Sequence, residues 1–493
     1  MVNVINMLNQ IKKWFSNPYN SALFALIIFS LVIRIYFLIK TSSQPLWWDE
    51  ADYVNLAKSL ISSLDYPFDP VRQPLFPLIF AFFFKIYPSE IFLRLFMILI
   101  STSSVVGAYY LGKKAYDEKT ALISSFFISV SYIILFFGNR LLIDVPSMTF
   151  YLFSALFFFL YIKFNKPPYF YISSVIIAIG TLARLTTAVL LLVFLLYFLF
   201  TSKFSFIKKK ETWVAGSIFS AIILPYILWG FVKFNGFVIT MAGGVNAPEN
   251  YVSNFFLVLK NYLILFPSYF SWPLTILFII GLISCLKFIL GFDVLFKSND
   301  FNNLKRDFFI LLLFIAPLLF ISFSINHNED RYILASFPAL FLIASRGFMI
   351  LYNKTKKYSR TISVILLIAL IIFVGYYQIN ESNKIIELKK DSYAEVKLAG
   401  EWLKQNTRDE TIIFTRSLPQ TLYYSERKTY GISEEKNKFE QSFNNQSSPI
   451  LIISIFESHP EWIYSFPEEK GMSPIRAYLD ENKNPLLIIY KLK

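Results

Sequence analysis

Two adjacent carboxylates are the chain's first candidates for chemistry. Asp49 and Glu50 stand in the run Gln44-Pro45-Leu46-Trp47-Trp48-Asp49-Glu50-Ala51-Asp52-Tyr53, just after a long apolar stretch. A carboxylate at a membrane surface can act as a general base, and a neighbouring acid can tune it or hold a metal. The same residues have a structural reading. Asp49 would cap a helix starting at Glu50, with Tyr53, Leu56 and Leu60 on one face, and Trp47 and Trp48 would anchor at headgroup level. Neither reading excludes the other.

Cationic candidates follow. Arg72, in Asp69-Pro70-Val71-Arg72-Gln73-Pro74, precedes a short apolar segment. It is either a snorkelling headgroup contact or a clamp on a lipid-linked phosphate, to which a guanidinium fork is suited. Asn139-Arg140-Leu141-Leu142-Ile143-Asp144 places Arg140 and Asp144 at the entrance of an apolar run, where Asp144 can also serve the helix dipole. Arg331, in Asn326-His327-Asn328-Glu329-Asp330-Arg331-Tyr332, is a second candidate phosphate ligand or a member of a solvated ion-pair cluster. Arg34, Arg94 and Arg184 lie in or beside apolar runs, where ionisable groups face a cavity or a partner. The stretch from Gly107 to Lys113 matches GxxxxGK, but Lys114 follows in place of Ser/Thr and the stretch lies in an apolar run, so a P-loop is excluded.

Positioning these groups falls to a membrane-embedded scaffold. Of 493 residues, 55% are hydrophobic and only 16% charged, with 55 phenylalanines and 30 tyrosines. A soluble protein carries about 25% charged residues. The net charge of +14 needs no nucleic acid, because basic cytoplasmic loops give the same total. A single cysteine, Cys285, excludes an internal disulfide and a zinc cluster, and two histidines, His327 and His459, argue against a His-based metal site.

Eleven apolar runs suit membrane spans: 21–40, 91–112, 120–138, 146–163, 169–184, 187–201, 212–233, 272–291, 308–325, 332–351 and 361–379. Lys12 and Lys13 precede the first, whose length and Arg34 argue against a cleaved signal peptide. Residues 75–87, LFPLIFAFFFKIY, are too short to cross and read as an interfacial or re-entrant piece. With that choice one face receives Lys12, Lys13, Lys113, Lys114, Lys119, Lys163, Lys166, Lys203, Lys208 to Lys210, Lys297, Lys305, Arg306, Lys354, Lys356, Lys357 and Arg360. The positive-inside rule makes that face cytoplasmic. Stretches 41–73, 139–145, 234–271 and 326–331, and the tail from about 385, are then external. The tail has short apolar strands at 411–415, 450–456 and 486–490, and a helix over 392–405 with Val396, Ala399 and Leu403 on one face. The expected fold is mainly α, with about eleven spans plus interfacial helices in a membrane domain at 1–384 and a small extracytoplasmic α/β domain at 385–493.

In their order, these features resemble the GT-C polytopic glycosyltransferases. The nearest branch holds the dolichyl-phosphate-mannose protein mannosyltransferases (glycosyltransferase family 39) and the bacterial lipid A aminoarabinose transferases. The matching residues are Asp49-Glu50, Arg72 with Pro74-Leu75, Arg94-Leu95, Gly112-Lys113-Lys114, Asn139-Arg140 to Asp144, and Arg331-Tyr332 with Pro338, over about residues 20–350. Where this chain has Arg72-Gln73-Pro74, the mannosyltransferases carry a His-Pro-Pro element and the aminoarabinose transferases a Lys-Pro-Pro element. The resemblance does not reach the tail. It implies a GT-C fold and transfer of a sugar, with inversion, from a polyprenyl-phosphate donor (dolichyl or undecaprenyl) to an acceptor hydroxyl on protein, lipid or glycan, on the extracytoplasmic side of the cell membrane. It implies Asp49 as the base, Glu50 orienting the acceptor or tuning the base, and Arg72, Arg331 and Arg140 neutralising the leaving phosphate.

Physical chemistry asks for the same parts: a base for the acceptor proton, positive charge at the departing phosphate, and restricted water around an oxocarbenium-like centre. Phe-rich runs at 80–84 and 150–160 could line an isoprenoid groove or face lipid. A divalent metal near Asp49 or Asp144 would be Mg²⁺ or Mn²⁺, since the ligands are oxygen only. A transporter or flippase would place ionisable groups near mid-membrane in broken repeats. A non-catalytic scaffold would tolerate loss of both Asp49 and Arg72.

Overall fold

A computed structural model describes residues 2–62, 64, 66–69, 72–236, 251–286 and 302–492. Part of the 234–271 stretch, the end of the 272–291 run and Lys297 fall outside these residues.

Helices dominate. In chain order they are α1 (Val2–Phe15), α2 (Pro18–Lys40), α3 (Trp48–Ser59), α4 (Leu75–Ile86), α5 (Glu90–Ala115), α6 (Glu118–Val130), α7 (Tyr132–Gly138), α8 (Asp144–Phe164), α9 (Pro167–Ala183) and α10 (Val189–Ser202). Then come α11 (Lys210–Phe234), α12 (Tyr251–Phe270), α13 (Trp272–Cys285), α14 (Asn303–Ser324), α15 (Phe337–Thr355), α16 (Arg360–Lys389) and α17 (Ala394–Asn406). Among the described residues eight helices are long and apolar enough to cross a membrane, and the α6–α7 pair, bent by 54°, makes a ninth if it is one span. Shorter apolar helices are α4, α9 and α13. Each of the eleven predicted runs is mainly helical over its described residues, with non-helical residues at Ser131, Arg184, Ile325, Tyr332 and Ile333, which makes this a multi-pass membrane protein.

The chain divides into two compact units. The first holds residues 1–40, 69–75 and 90–385; the second holds 41–68, 76–89 and 386–493. The short segment read as non-crossing is the 12-residue α4, about 18 Å long, well short of the ~30 Å hydrocarbon core. Phe76, Pro77, Phe80, Ala81 and Phe84 are buried, while Leu78, Phe82 and Ile86, at i, i+4 and i+8, are exposed apolar residues. The helix thus has one packed and one exposed apolar face.

Within the first unit, small residues allow close helix approach. Gly281 on α13 and Gly347 on α15 meet with backbone against backbone, and a Cβ on either would strike the other helix's main chain. Phe158 and Phe159 are fully buried, and Phe158 stacks on Phe194 at 3.7 Å between centroids. This part of the 150–160 run packs the interior and does not face lipid. The buried intramembrane arginines have partners: Arg34 donates to the Ser101 hydroxyl at 2.9 Å and the Ser30 and Ser129 carbonyls, and Arg94 donates to the Asn139 carbonyl at 3.3 Å. The GxxxxGK stretch is continuous helix in α5, with Gly112 against Ala121.

Helices α1, α12, α18 (Leu418–Ser425) and α19 (Lys436–Asn444) were not foreseen. Residues 251–270, read as part of a polar external stretch, form α12. Its Asn261 donates to the Asn328 side chain at 3.1 Å, Tyr262 to the Glu329 carbonyl at 3.0 Å and Tyr269 to the Asp330 carboxylate at 2.7 Å. Phe256, Leu257, Leu263 and Ile264 are exposed. Polar residues interrupt the apolar run that a span would need.

The second unit is built on a five-stranded sheet of order β2-β1-β3-β5-β4: β1 (Ile412–Thr415), β2 (Lys428–Gly431), β3 (Ile450–Ser454), β4 (Met472–Leu479) and β5 (Pro485–Leu492). β1 pairs parallel with β2 and β3; β5 is antiparallel to β3 and β4. Alternation along the strands sends Ile413, Ile450 and Ile452 to a core with Val396, Ala399 and Leu403 of α17, and Phe414 and Leu451 to a core with Phe439 and Phe443. The latter two residues lie on α19 (Lys436–Asn444), which follows α18 (Leu418–Ser425).

Candidate functional site

Asp49 lies in the first turn of α3, which begins at Trp48 with Trp47 as N-cap. The cap function expected of Asp49 falls to its neighbour: the Glu50 carboxylate accepts the Trp47 N–H at 2.9 Å and is fully buried. Asp52 is buried too and accepts from the Tyr66 hydroxyl at 2.5 Å. Asp49 alone among these three acids is partly exposed, as a base must be to meet an acceptor. The helix is held from outside its own loop. Leu46 N–H donates to the Tyr424 hydroxyl at 2.8 Å, Asn55 donates to the Pro419 carbonyl at 2.8 Å, and the Lys58 ammonium sits 4.0 Å from the Tyr423 ring centroid. Asp49 also adds to the negative field at Tyr393, whose phenol burial pushes up.

The cationic candidates belong to the first unit. Asp144, at the first position of α8, is buried with its side chain 2% exposed. It pairs with Arg184 and lies 3.9 Å from Arg331, whose side chains are 20% and 16% exposed. Two guanidinium groups are thus anchored from below by one buried carboxylate and keep partly accessible faces. Arg331 also donates to Glu329 at 2.6 Å, and Tyr332 hydroxyl donates to the same carboxylate at 2.9 Å. Burial pushes the Glu329 carboxyl up, but Arg331 and the surrounding donors outweigh it and hold it below its ordinary value. Both guanidinium groups lie near the Tyr332 ring, at 5.2 Å and 5.5 Å from its centroid. Arg140 is buried, 5.2 Å from the Phe136 ring. Arg72 is half-buried, and its backbone N–H donates to the Asp69 carbonyl at 2.9 Å.

Arg184 had no partner assigned from the sequence. It stands at the break between α9 and α10 in extended conformation, and this chain reversal brings it to Asp144. A lone arginine at the junction of two apolar runs was the available signal. Asp144, Arg184 and Arg331 occupy the helix ends opposite Lys163, Lys166 and Lys354. A metal at Asp49 or Asp144 finds no supporting donor set: among the described residues no three His, Cys, Asp or Glu side chains come together, and Asp144 is committed to two arginines.

Residues 69–229 match the sequence profile of the family described as dolichyl-phosphate-mannose-protein mannosyltransferase. No curated protein sequence matches the chain. Among solved structures, ArnT from Cupriavidus metallidurans bound to undecaprenyl phosphate is similar with a TM-score of 0.68 at 11% identity, covering 94% of this chain and 97% of that one. The Archaeoglobus fulgidus oligosaccharyltransferase in its apo form gives 0.62 at 11% identity, covering 90% and 70%. The same organism's AglB, in complex with an inhibitory peptide and a dolichol-phosphate, gives 0.56 at 12%, covering 87% and 69%. The helical architecture with its small sheet domain and these likenesses establish the fold: the chain is a polytopic membrane protein of the GT-C glycosyltransferase fold.

Proposed function

We propose that this protein transfers a sugar from a polyprenyl-phosphate carrier to an acceptor hydroxyl at the extracytoplasmic face, with the C-terminal domain, residues 385–493, on that side. The observation that carries the reading is the pair of guanidinium groups, Arg184 and Arg331, fixed on Asp144 at the helix ends opposite the lysine-rich loops. ArnT and AglB, which share the fold, are described in complex with undecaprenyl phosphate and dolichol-phosphate.

In this reading the acceptor oxygen attacks the anomeric carbon as its proton passes to the Asp49 carboxylate. The bond from that carbon to the phosphate oxygen breaks on the opposite side, and the polyprenyl phosphate leaves with the electron pair. Configuration inverts. Glu50 holds the turn that presents Asp49. Arg331 and Arg184 receive the growing charge on the phosphate, with Arg140 and Arg72 completing the clamp. Asp144 positions the two fixed guanidiniums so that they need no reorganisation as charge develops.

The test is incubation of the purified protein with undecaprenyl- and dolichyl-phosphate sugars and a panel of protein, lipid and glycan acceptors, with mass analysis of co-purified lipid. Appearance of free polyprenyl phosphate with glycosylated acceptor supports the reading. Absence of carrier-lipid copurification and of turnover with every donor would contradict it.

A further inference from the structure

The C-terminal domain has its own candidate crevice. β1 runs through α18 to β2 on one side, and β3 returns to pair with β1 on the other. The chain therefore reverses direction across the sheet between β1 and β3. The segments that follow these two strands pack on opposite faces: α18, after β1, lies against Gly400 of α17, whereas Ile463 and Phe466, after β3, join the core with Phe439 and Phe443. At such a switch point the carboxyl ends of the strands flank a cleft that commonly takes a ligand.

Polar groups gather at that end of the sheet. The Ser417 and Ser454 hydroxyls, 1% and 5% exposed by residue, have no hydrogen-bond partner among the described residues. The same holds for both amide atoms of the fully buried Gln420, for His459 Nδ1, for Glu457 Oε1 and for Arg416 Nε. Buried donors and acceptors left unmade cost about 1–3 kcal/mol each, so a cluster of them calls for a ligand. Tyr393 and Phe456 form a rim with ring centroids 5.5 Å apart. Tyr393 has φ +68°, a left-handed conformation costly for a bulky residue and typical of sites that must aim a side chain. It stands beside Glu457 and within the electrostatic reach of Asp49.

The ligand's chemistry follows from the lining. Ser417, Ser454 and Gln420 are neutral. His459 Nε2 lies 2.9 Å from the Ser454 carbonyl, and burial disfavours its charged form. With the Nε2–H donating to that carbonyl, Nδ1 is left as an acceptor. Arg416 already pairs with Glu434. An anion would find no uncompensated cation here. A hydroxyl-rich molecule, offering a donor and an acceptor at every oxygen and an apolar ring face to Tyr393 and Phe456, matches the set.

We infer that the cleft between the carboxyl ends of β1 and β3 binds a carbohydrate, lined by Ser417, Ser454, Gln420, Glu457 and His459. As a subsite for a sugar-bearing acceptor beside Asp49, it rests on the transfer reading above; carbohydrate binding itself does not.

Saturation-transfer NMR on the full-length protein in a non-glycosidic detergent, without donor lipid, tests it using methyl glucoside, galactoside and mannoside. At least one glycoside should bind with millimolar affinity, and the Ser417→Ala/Ser454→Ala double variant, confirmed folded by circular dichroism, should weaken it roughly tenfold. His459→Asn should weaken it as well, so that either variant suffices if the other misfolds. No binding of any glycoside to the unmodified protein, equal binding by the folded variants, or displacement of the glycoside by inorganic phosphate would overturn the inference. Binding without transfer would instead count against the enzymatic reading alone.

Discussion

Asn55, on the helix that carries Asp49, donates its side-chain amide to the Pro419 carbonyl of the C-terminal domain across 364 residues of sequence. Tyr424 accepts the Leu46 N–H at 2.8 Å, and Lys397 donates to the Ser43 carbonyl at 3.1 Å. The tail thus clamps the loop bearing the candidate base. Tyr424→Phe leaves the buried Leu46 N–H without its acceptor and should cost about 1 kcal/mol. Hydrogen exchange over residues 44–58 should quicken, and turnover should fall while donor binding holds. Unchanged exchange in that loop would show that the clamp is idle.

Asp144 holds two arginines from a buried position, so removing its charge strands both. Asp144→Asn should destabilise the first unit by about 3 kcal/mol, the scale for breaking a buried ion pair. Arg331→Lys keeps the charge but loses the fork. It should leave thermal stability nearly intact while lowering kcat, and thermal melts with parallel transfer assays separate the two effects. Full activity in Arg331→Lys would remove the geometric role assigned to the guanidinium.

Burial pushes the Glu457 carboxyl above its ordinary 4.5, with the Tyr393 hydroxyl and Arg416 pulling it partly back. A raised folded value contributes stability below the unfolded pKa and loses it as pH rises through the folded one. Glu457→Gln should therefore stabilise the C-terminal domain at neutral pH, and the gain should vanish as pH falls toward 4.5. His459 works in the opposite sense. Burial lowers it from 6.5, so its contribution is present above that value and declines as pH falls below it. Urea unfolding of the full-length protein, followed by exchange in β1 and β3 at several pH values, reads both slopes.

Much of the scaffold is legible from residue patterns because membrane burial is a strong constraint. The runs of about 20 apolar residues are helices, and the short run after Pro74 is a 12-residue helix set apart by its length. In the tail Val396, Ala399 and Leu403 share a buried face, as their spacing requires. Other features were hidden for physical reasons, α12 and β2 among them. α12 alternates apolar and polar residues because one side bonds to the loop at 325–330. β2, at Lys428–Gly431, is short and polar and owes its existence to pairing with β1. The union of Arg184 with Asp144 and of Asn55 with Pro419 depends on tertiary placement, which no local pattern encodes. Glu50, paired with Asp49 by adjacency, separates from it in role because N-cap geometry selects the third helical position for the backbone contact.

The most direct measurement is single-turnover transfer from a polyprenyl-phosphate sugar by Asp49→Asn, in protein shown to be folded and to bind donor. Loss of the base should lower the rate by roughly 10²–10⁴-fold with donor affinity unchanged. A rate within a fewfold of the unmodified protein would contradict Asp49 as the group that takes the acceptor proton.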